Sequence, residues 1–296
     1  METQQIRGII YMLLAMLLIS VQEALAKYLG ERLPVGQVVW ARYVGHLFLI
    51  FCWLWPRYGR SLIRAVQHRV QIGRSLILLL DTLLFFYGLT LLGLAEATAI
   101  FFTVPLLVLL LSVPLLGERV TGGALLAILI GFAGTLIIVR PGGSATLDST
   151  ALSGALCIFG SACCAALYNV TTRKLAEQDP VQVTLFFTAL VGTLATTLYV
   201  PFIWVTPTGT LVWLALTCIG FFGGMAHSLM IIAHKHARAT ALAPFMYSQI
   251  IWALALGWLL FNELPDKLAW LGGSIVILSG LYLFWQDWRR VRKQHA

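Results

Sequence analysis

Apolar residues run in long blocks along this chain, and the blocks end at turn residues or charges. They cover 6–28, 36–55, 73–92, 95–116, 121–139, 151–172, 181–202, 210–233, 240–261 and 268–286. Each is close to the roughly 20 residues that a helix needs to cross a bilayer. Residues 97–117, 149–172 and 239–262 contain no Asp, Glu, Lys or Arg at all. The charge-free stretch 180–234 is 55 residues long, too long for one crossing. Pro201, Thr206, Pro207, Thr208 and Gly209 divide it into two. The blocks do not alternate and are about twice the length of a barrel strand, so the pattern predicts helices. The expected fold is an all-α membrane protein with ten transmembrane helices. Arg7 followed by an apolar run and Ala24-Leu25-Ala26 also resembles a cleaved signal. The repeat described below needs this first helix, so it is read as retained.

Composition agrees with the pattern. The chain is 59% hydrophobic and 11% charged, with a mean hydropathy of +0.88. A soluble domain carries roughly 25% charged residues, so lipid must be part of the solvent. Cys52, Cys157, Cys163, Cys164 and Cys218 all fall within apolar blocks and read as small packing residues. The net charge is +8, but no basic stripe interleaved with aromatics points to nucleic acid. The basic residues fall at block ends instead. With the N-terminus inside, 15 Lys and Arg lie on the cytoplasmic side and 4 outside, with Arg42 within a helix. That bias sets the orientation: both termini cytoplasmic, ending in a basic tail at 287–296. Trp40, Trp53, Trp55, Trp204, Trp213, Trp270, Trp285 and Trp288 sit near the expected interfaces.

The two halves can be laid over each other. A shift of 146 residues puts Gly8 on Gly154, Lys27 on Arg173, Leu29 on Leu175, Glu31 on Glu177, Pro34 on Pro180 and Val35 on Val181. Ala97-Thr98-Ala99 meets Ala239-Thr240-Ala241 at a shift of 142, and Glu118 meets Glu263 at 145. The chain thus divides into five-helix units over 6–140 and 150–286. An odd helix number makes the second unit start from the opposite side, so the expected architecture is two inverted five-helix repeats. Inverted repeats are characteristic of secondary transporters with a midplane substrate site.

In order along the chain stand Tyr87-Gly88-Leu89, Ala95–Ala99, Pro105, Gly117-Glu118-Arg119 and the run Ile130-Gly131-Phe132-Ala133-Gly134. The second half has Ala237–Ala243, Pro244 and Asn262-Glu263. With these motifs the chain resembles the drug/metabolite transporter superfamily, in its ten-helix EamA-like branch, over nearly its whole length. The resemblance implies a carrier of small metabolites, commonly an exporter, in a bacterial inner membrane, with amino acids, nucleosides, vitamins and drugs among the family's substrates. Ala26-Lys27-Tyr28-Leu29-Gly30, with Arg42 on the next helix, is similar to a branch that contains S-adenosylmethionine and riboflavin carriers.

Polar side chains inside the membrane are costly and usually face a cavity. Glu23 lies on the first helix beside Gln22; Arg42 and His46 share a face of the second. Glu23 and Arg42 could pair across helices, as a structural lock or as an anion site with an exchangeable partner. Asp81, near the middle of the third helix, is a candidate for a cation, an amine or a coupled proton, or for pairing with His46 or Arg42. Tyr87 joins them from the motif above. In the second half Tyr168 and Asn169 occupy the places of Gln22 and Glu23, and the ninth helix offers Tyr247, Ser248, Gln249 and Trp252. His227 reads as an interhelical hydrogen bonder. Pro105 and Pro114 in the fourth helix and Pro244 in the ninth are candidate hinges. Glu118 and Glu263 suit the starts of the following helices. Gly220 and Gly224, and Ser161 and Ala165, suit close internal packing.

The expected partners are a small-molecule metabolite, membrane lipid and a coupled proton, with no cofactor and a monomeric or homodimeric state. No Walker-A loop is present, so ATP is not the direct drive. The alternative is a membrane-embedded enzyme acting on lipid or isoprenoid. Its nearest cluster is His234-Lys235-His236, which reads as a basic loop, and no H-E-x-x-H is present.

Overall fold

The computed structural model describes residues 2–91, 97, 100–117, 122–139, 149–261, 271, 272, 274, 275, 278, 279 and 282. Within them run α1 (Glu2–Gly30), α2 (Val35–Trp53), α3 (His68–Leu91), α4 (Val104–Leu116), α5 (Gly122–Val139), α6 (Ser149–Leu175), α7 (Val181–Tyr199), α8 (Thr210–His236), α9 (Ala239–Met246) and α10 (Ser248–Phe261). Among the described residues, six helices (α1, α2, α3, α6, α7 and α8) are long and apolar enough to cross a membrane. Large apolar side chains stand on the outside, among them Phe202 (85% exposed), Leu198 and Leu259. Patches of this kind are rare on soluble monomers, and a hydrocarbon solvent removes their cost. The chain is an all-helical, multi-pass membrane protein. Glu118, Glu263 and most of the expected tenth span lie outside the described residues.

The repeat appears bond for bond. Between α1 and α2 the amides of Arg32 and Leu33 both donate to Leu29 O, and those of Gln37 and Val38 to Pro34 O. Between α6 and α7 the amides of Gln178 and Asp179 donate to Leu175 O, and those of Val183 and Thr184 to Pro180 O. Every partner is displaced by 146 residues. Pro34 and Pro180 occupy the cap before their helices with nearly the same backbone, φ −57°, ψ 136° and φ −59°, ψ 142°. Proline fits there because its fixed φ suits an extended residue and no helical amide is lost. Packing follows the same rule: α1 lies along α8, and its counterpart α6 lies along α3.

Two expected single spans are each broken. The fourth span turns at Phe102–Thr103, where Thr103 donates to Ile100 O from both its amide and its hydroxyl (3.1 and 2.8 Å). The ninth breaks at Tyr247, between α9 and α10. Phe102 and Tyr247 touch, with ring centroids 5.8 Å apart. Pro105 therefore does not interrupt a helix; it lies in the first turn of α4, where a missing amide costs nothing. Pro114 lies within α4, three residues before the left-handed cap Gly117 (φ 65°). Pro244 lies in α9, before the break. His234-Lys235-His236 is the last turn of α8 and not a loop.

Glycines let α2 and α8 meet. A Cβ on Gly220 would stand 2.6 Å from Gly45 Cα and 2.8 Å from Ala41 O, both backbone atoms that cannot swing aside. Gly220→Ala is expected to lower the unfolding midpoint in detergent, with a cost of about 1–3 kcal/mol from overpacking. Gly73→Ala on α3 has nothing within 4 Å of the new Cβ and should leave the midpoint unchanged or raise it. Equal midpoints for the two variants would show that the α2–α8 approach is not tight.

Candidate substrate cavity

The buried face of α3 repeats through Arg74, Leu78, Thr82 and Phe85, the spacing of one helix stripe. Opposite it stand α1, α2, α6 and α8. A cavity of about 70 Å³ opens where these helices converge with α9 and α10, lined among others by Gln22, Glu23, Arg42, Asp81, Thr82, Tyr168, Asn169, His227 and Gln249. Met16, Phe85, Phe86, Phe101, Met230 and Met246 supply apolar wall.

Arg42 is the centre of this wall. Its Nε donates to Gln22 Oε1 at 3.0 Å, its Nη1 to Thr82 Oγ1, and its Nη2 to His227 Nε2. One guanidinium fork thus ties α1, α3 and α8 to α2, a geometry that a point-charge ammonium could not reproduce. Gly223 makes it possible: a Cβ there would fall 2.3 Å from Gln22 Oε1 and 3.2 Å from Arg42 Nε. Since a guanidinium only donates, His227 Nε2 accepts, and the imidazole proton sits on Nδ1. That Nδ1 is buried without a partner, as are Tyr168 Oη and Asn169 Oδ1. Buried polar atoms normally find partners, so three orphaned ones in a single cavity wall mark a place for a ligand or water.

The carboxylates sit to either side. Asp81 accepts from Ser161 Oγ at 2.6 Å, joining α3 to α6. Glu23 accepts from Gln249 Nε2 at 2.7 Å, joining α1 to α10. The expected Glu23–Arg42 ion pair is not formed. The neighbouring Gln22 occupies the guanidinium, and Glu23, one residue and about 100° further round α1, turns to α10. Asp81 likewise pairs with neither His46 nor Arg42.

Six of the ten expected contacts reach the cavity: Glu23, Arg42, Asp81, Tyr168, Asn169 and Gln249. The other four are corrections. Tyr87 is 54% exposed on the outer surface; six residues past Asp81, it lies roughly 240° round the helix. His46 is buried behind the site, wedged against Gly224, where a Cβ would be 2.8 Å from its Cδ2. Tyr247 is buried against Phe102 and Gly131 at the helix break. Trp252 is half-buried against the core cluster that includes Tyr247 and Ile250.

The two halves of the chain, residues 6–140 and 152–285, each match the EamA-like transporter family. This chain belongs to the EamA-like transporter family. Among the relatives of this EamA-like protein is a S-adenosylmethionine uptake transporter of Rickettsia prowazekii (strain Madrid E), 25% identical over 98% of this chain and 96% of that one. A pseudopaline exporter of Pseudomonas aeruginosa is 28% identical over 93% and 95%. A riboflavin transporter of Vibrio cholerae is 26% identical over 98% and 96%. A crystal structure superposes with a TM-score of 0.79 at 22% identity, covering 95% of this chain and 98% of that one, which shows the shared fold.

Sequence reasoning missed one intramembrane cation of this EamA-like fold. Arg74 stands nearly two turns into α3 and counts with the interfacial arginines by its place at the start of the apolar block, yet it is 1% exposed. It donates to Thr172 Oγ1 (3.0 Å), Thr184 O (3.0 Å) and Thr188 Oγ1, and lies 4.8 Å from the Tyr168 ring centroid. Arg74 thus backs the cavity wall through Tyr168. Thr188, the counterpart of Arg42 at the 146 shift, is one of the acceptors of Arg74 and not of Arg42.

Proposed function

We propose that this chain is a secondary carrier for a small polar metabolite bearing both a carboxylate and a cationic centre, moved across the bacterial inner membrane by alternating access. In this reading the chain crosses ten times as two inverted five-helix repeats, with both termini cytoplasmic. The observation that carries it is the cavity, where a guanidinium, two carboxylates and three orphaned polar atoms converge between the halves. Arg42 suits the substrate carboxylate, and Glu23 and Asp81 suit its cation or a proton exchanged for it. Phe85, Phe86, Phe101 and Tyr168 supply flat faces for a ring. Relatives that move S-adenosylmethionine, pseudopaline and riboflavin support a small polar metabolite; the charge pattern rests on the cavity residues alone. The 15:4 distribution of basic residues and the odd repeat support the orientation and the inversion. About 70 Å³ holds a few waters and no metabolite, so the cavity must widen to take a substrate.

The test is flux into proteoliposomes with S-adenosylmethionine, a basic amino acid and riboflavin as probes. Saturable uptake or exchange of a zwitterionic probe is expected. No flux for any of them from folded protein would overturn the reading.

Phe86 lines both the cavity and a second groove of about 410 Å³ between the ends of α1, α2 and α3, beside Lys27 and Glu31. It is the partition between them in this reading. Phe86→Ala is expected to speed downhill efflux of preloaded probe severalfold while binding persists. Unchanged efflux would show that the barrier lies elsewhere.

A further inference from the structure

We propose that the groove between the ends of α4 and α6 and the start of α9 binds the head group of an anionic phospholipid. The inference rests on reading the chain as a membrane-spanning carrier, but not on any substrate. The groove has a volume of about 530 Å³ and is lined by Leu115, Arg173, Lys174, Glu177 and Arg238, among others. Among the described residues, three cationic side chains and one carboxylate line it, and that carboxylate is already engaged by Arg173 Nη2 at 3.1 Å. Arg173 is also held from the other side, donating from Nη1 to His234 O at 2.9 Å. Its guanidinium is therefore positioned before any ligand arrives, while Lys174 and Arg238 are exposed at the rim.

The apolar side of the groove chooses the ligand. Leu115 is 46% exposed beside the cations, and Val113 and Leu110, on other sides of α4, are exposed as well, so this helix presents apolar surface around the groove. A free anion has no use for such a surface. A phospholipid has: its acyl chain lies along α4, and its phosphate reaches the cations at the helix ends. Basic pockets between transmembrane helices take anionic head groups on this principle. The site lies apart from the substrate cavity and shares no residue with it.

The experiment uses delipidated full-length protein in neutral detergent. Native mass spectrometry counts retained lipid, and thermal unfolding reads stabilisation, with dioleoylphosphatidylglycerol, dioleoylphosphatidylcholine or inorganic phosphate as the probe. Phosphatidylglycerol is expected to be retained and to raise the midpoint, and the other two are not. Lys174→Gln/Arg238→Gln removes two exposed rim charges without touching the Arg173 contacts. It should weaken phosphatidylglycerol binding roughly thirtyfold. Arg64→Gln/Arg69→Gln, two exposed cations outside the groove, should bind as the wild type does. Equal retention of the two lipids, full stabilisation by inorganic phosphate, or equal weakening in both double variants would each overturn the lipid site. Because no step involves transport, failure here leaves the carrier reading untouched, and loss of flux leaves the lipid site standing.

Discussion

Arg42→Met abolishes uptake of a carboxylate-bearing substrate while the protein still inserts and elutes as a folded species: this is the expected result with the largest effect on transport. Methionine keeps much of the volume of arginine and fills the slot opposite Gly223. What it removes is the fork that holds Gln22, Thr82 and His227 in one plane and offers its charge to the cavity. Losing one partner of a buried, hydrogen-bonded charge pair costs roughly 2–5 kcal/mol, so kcat/KM should fall by at least about thirtyfold. Arg42→Lys keeps the charge and tests the fork. One ammonium cannot serve three acceptors on three helices and a carboxylate as well, so lysine should rescue only a small part. The measurements are initial uptake rates in proteoliposomes beside detergent unfolding midpoints. Full activity in the lysine variant would assign Arg42 the role of a charge alone. Wild-type kinetics in the methionine variant would reduce it to a structural tie.

The fold was legible because in lipid the backbone leaves few choices. Apolar length predicts crossing helices, and the Leu29–Pro34 and Leu175–Pro180 turns recur because the same residues stand 146 apart. The site was legible in part, and the reason is angular. Depth can be read from distance along a block, but direction needs a neighbour. Asp81 and Tyr87 share a helix and a depth range, yet one faces Ser161 and the other faces out. His46 shares a stripe with Arg42, but one turn along α2 the glycines of α8 bring the backbones together and leave no cavity. Arg74 is the converse case. A cation within the first two turns of a helix can reach the interface by extending its side chain, and position alone does not separate that from one turned inward. Thr82 was missed, and Ser161 was read only as a packing residue, because a lone hydroxyl in an apolar helix ordinarily bonds its own backbone; Thr82 does this with Leu78 O at 2.9 Å while also serving Arg42.

Hydropathy runs through the helix breaks without a dip; Pro105 and Pro244 marked the two spans as candidate hinges, but not the turning residues themselves. Phe102–Thr103 and Tyr247 interrupt the two spans that flank the cavity, and their rings meet. Broken helices at a carrier's binding site are a recurring arrangement, because the half-helix ends present backbone groups to a substrate. Gln249, two residues past the second break, holds Glu23. A carboxylate of the cavity is thereby tied to α10, just past the break.

That linkage frames the second large effect. Two carboxylates, Glu23 and Asp81, share the cavity wall with one guanidinium. A low-dielectric site tolerates unbalanced charge poorly, so one further positive charge is favoured there, either a proton or the cationic centre of the substrate. In the proposed carrier the two compete, and a proton gradient would drive exchange. Asp81→Asn retains an oxygen that accepts from Ser161, and Glu23→Gln retains one for Gln249, so both variants should fold. Asp81→Asn is expected to remove the pH-gradient dependence of uptake while substrate-for-substrate exchange, which moves no net proton, continues. In the wild type, binding of a cationic probe should weaken as the pH falls, because protons take its place; in the variant that slope should flatten. Persistence of the gradient dependence in Asp81→Asn would transfer the coupling role to Glu23. Its persistence in the double variant would remove both carboxylates from coupling and leave them as ties between α3 and α6 and between α1 and α10.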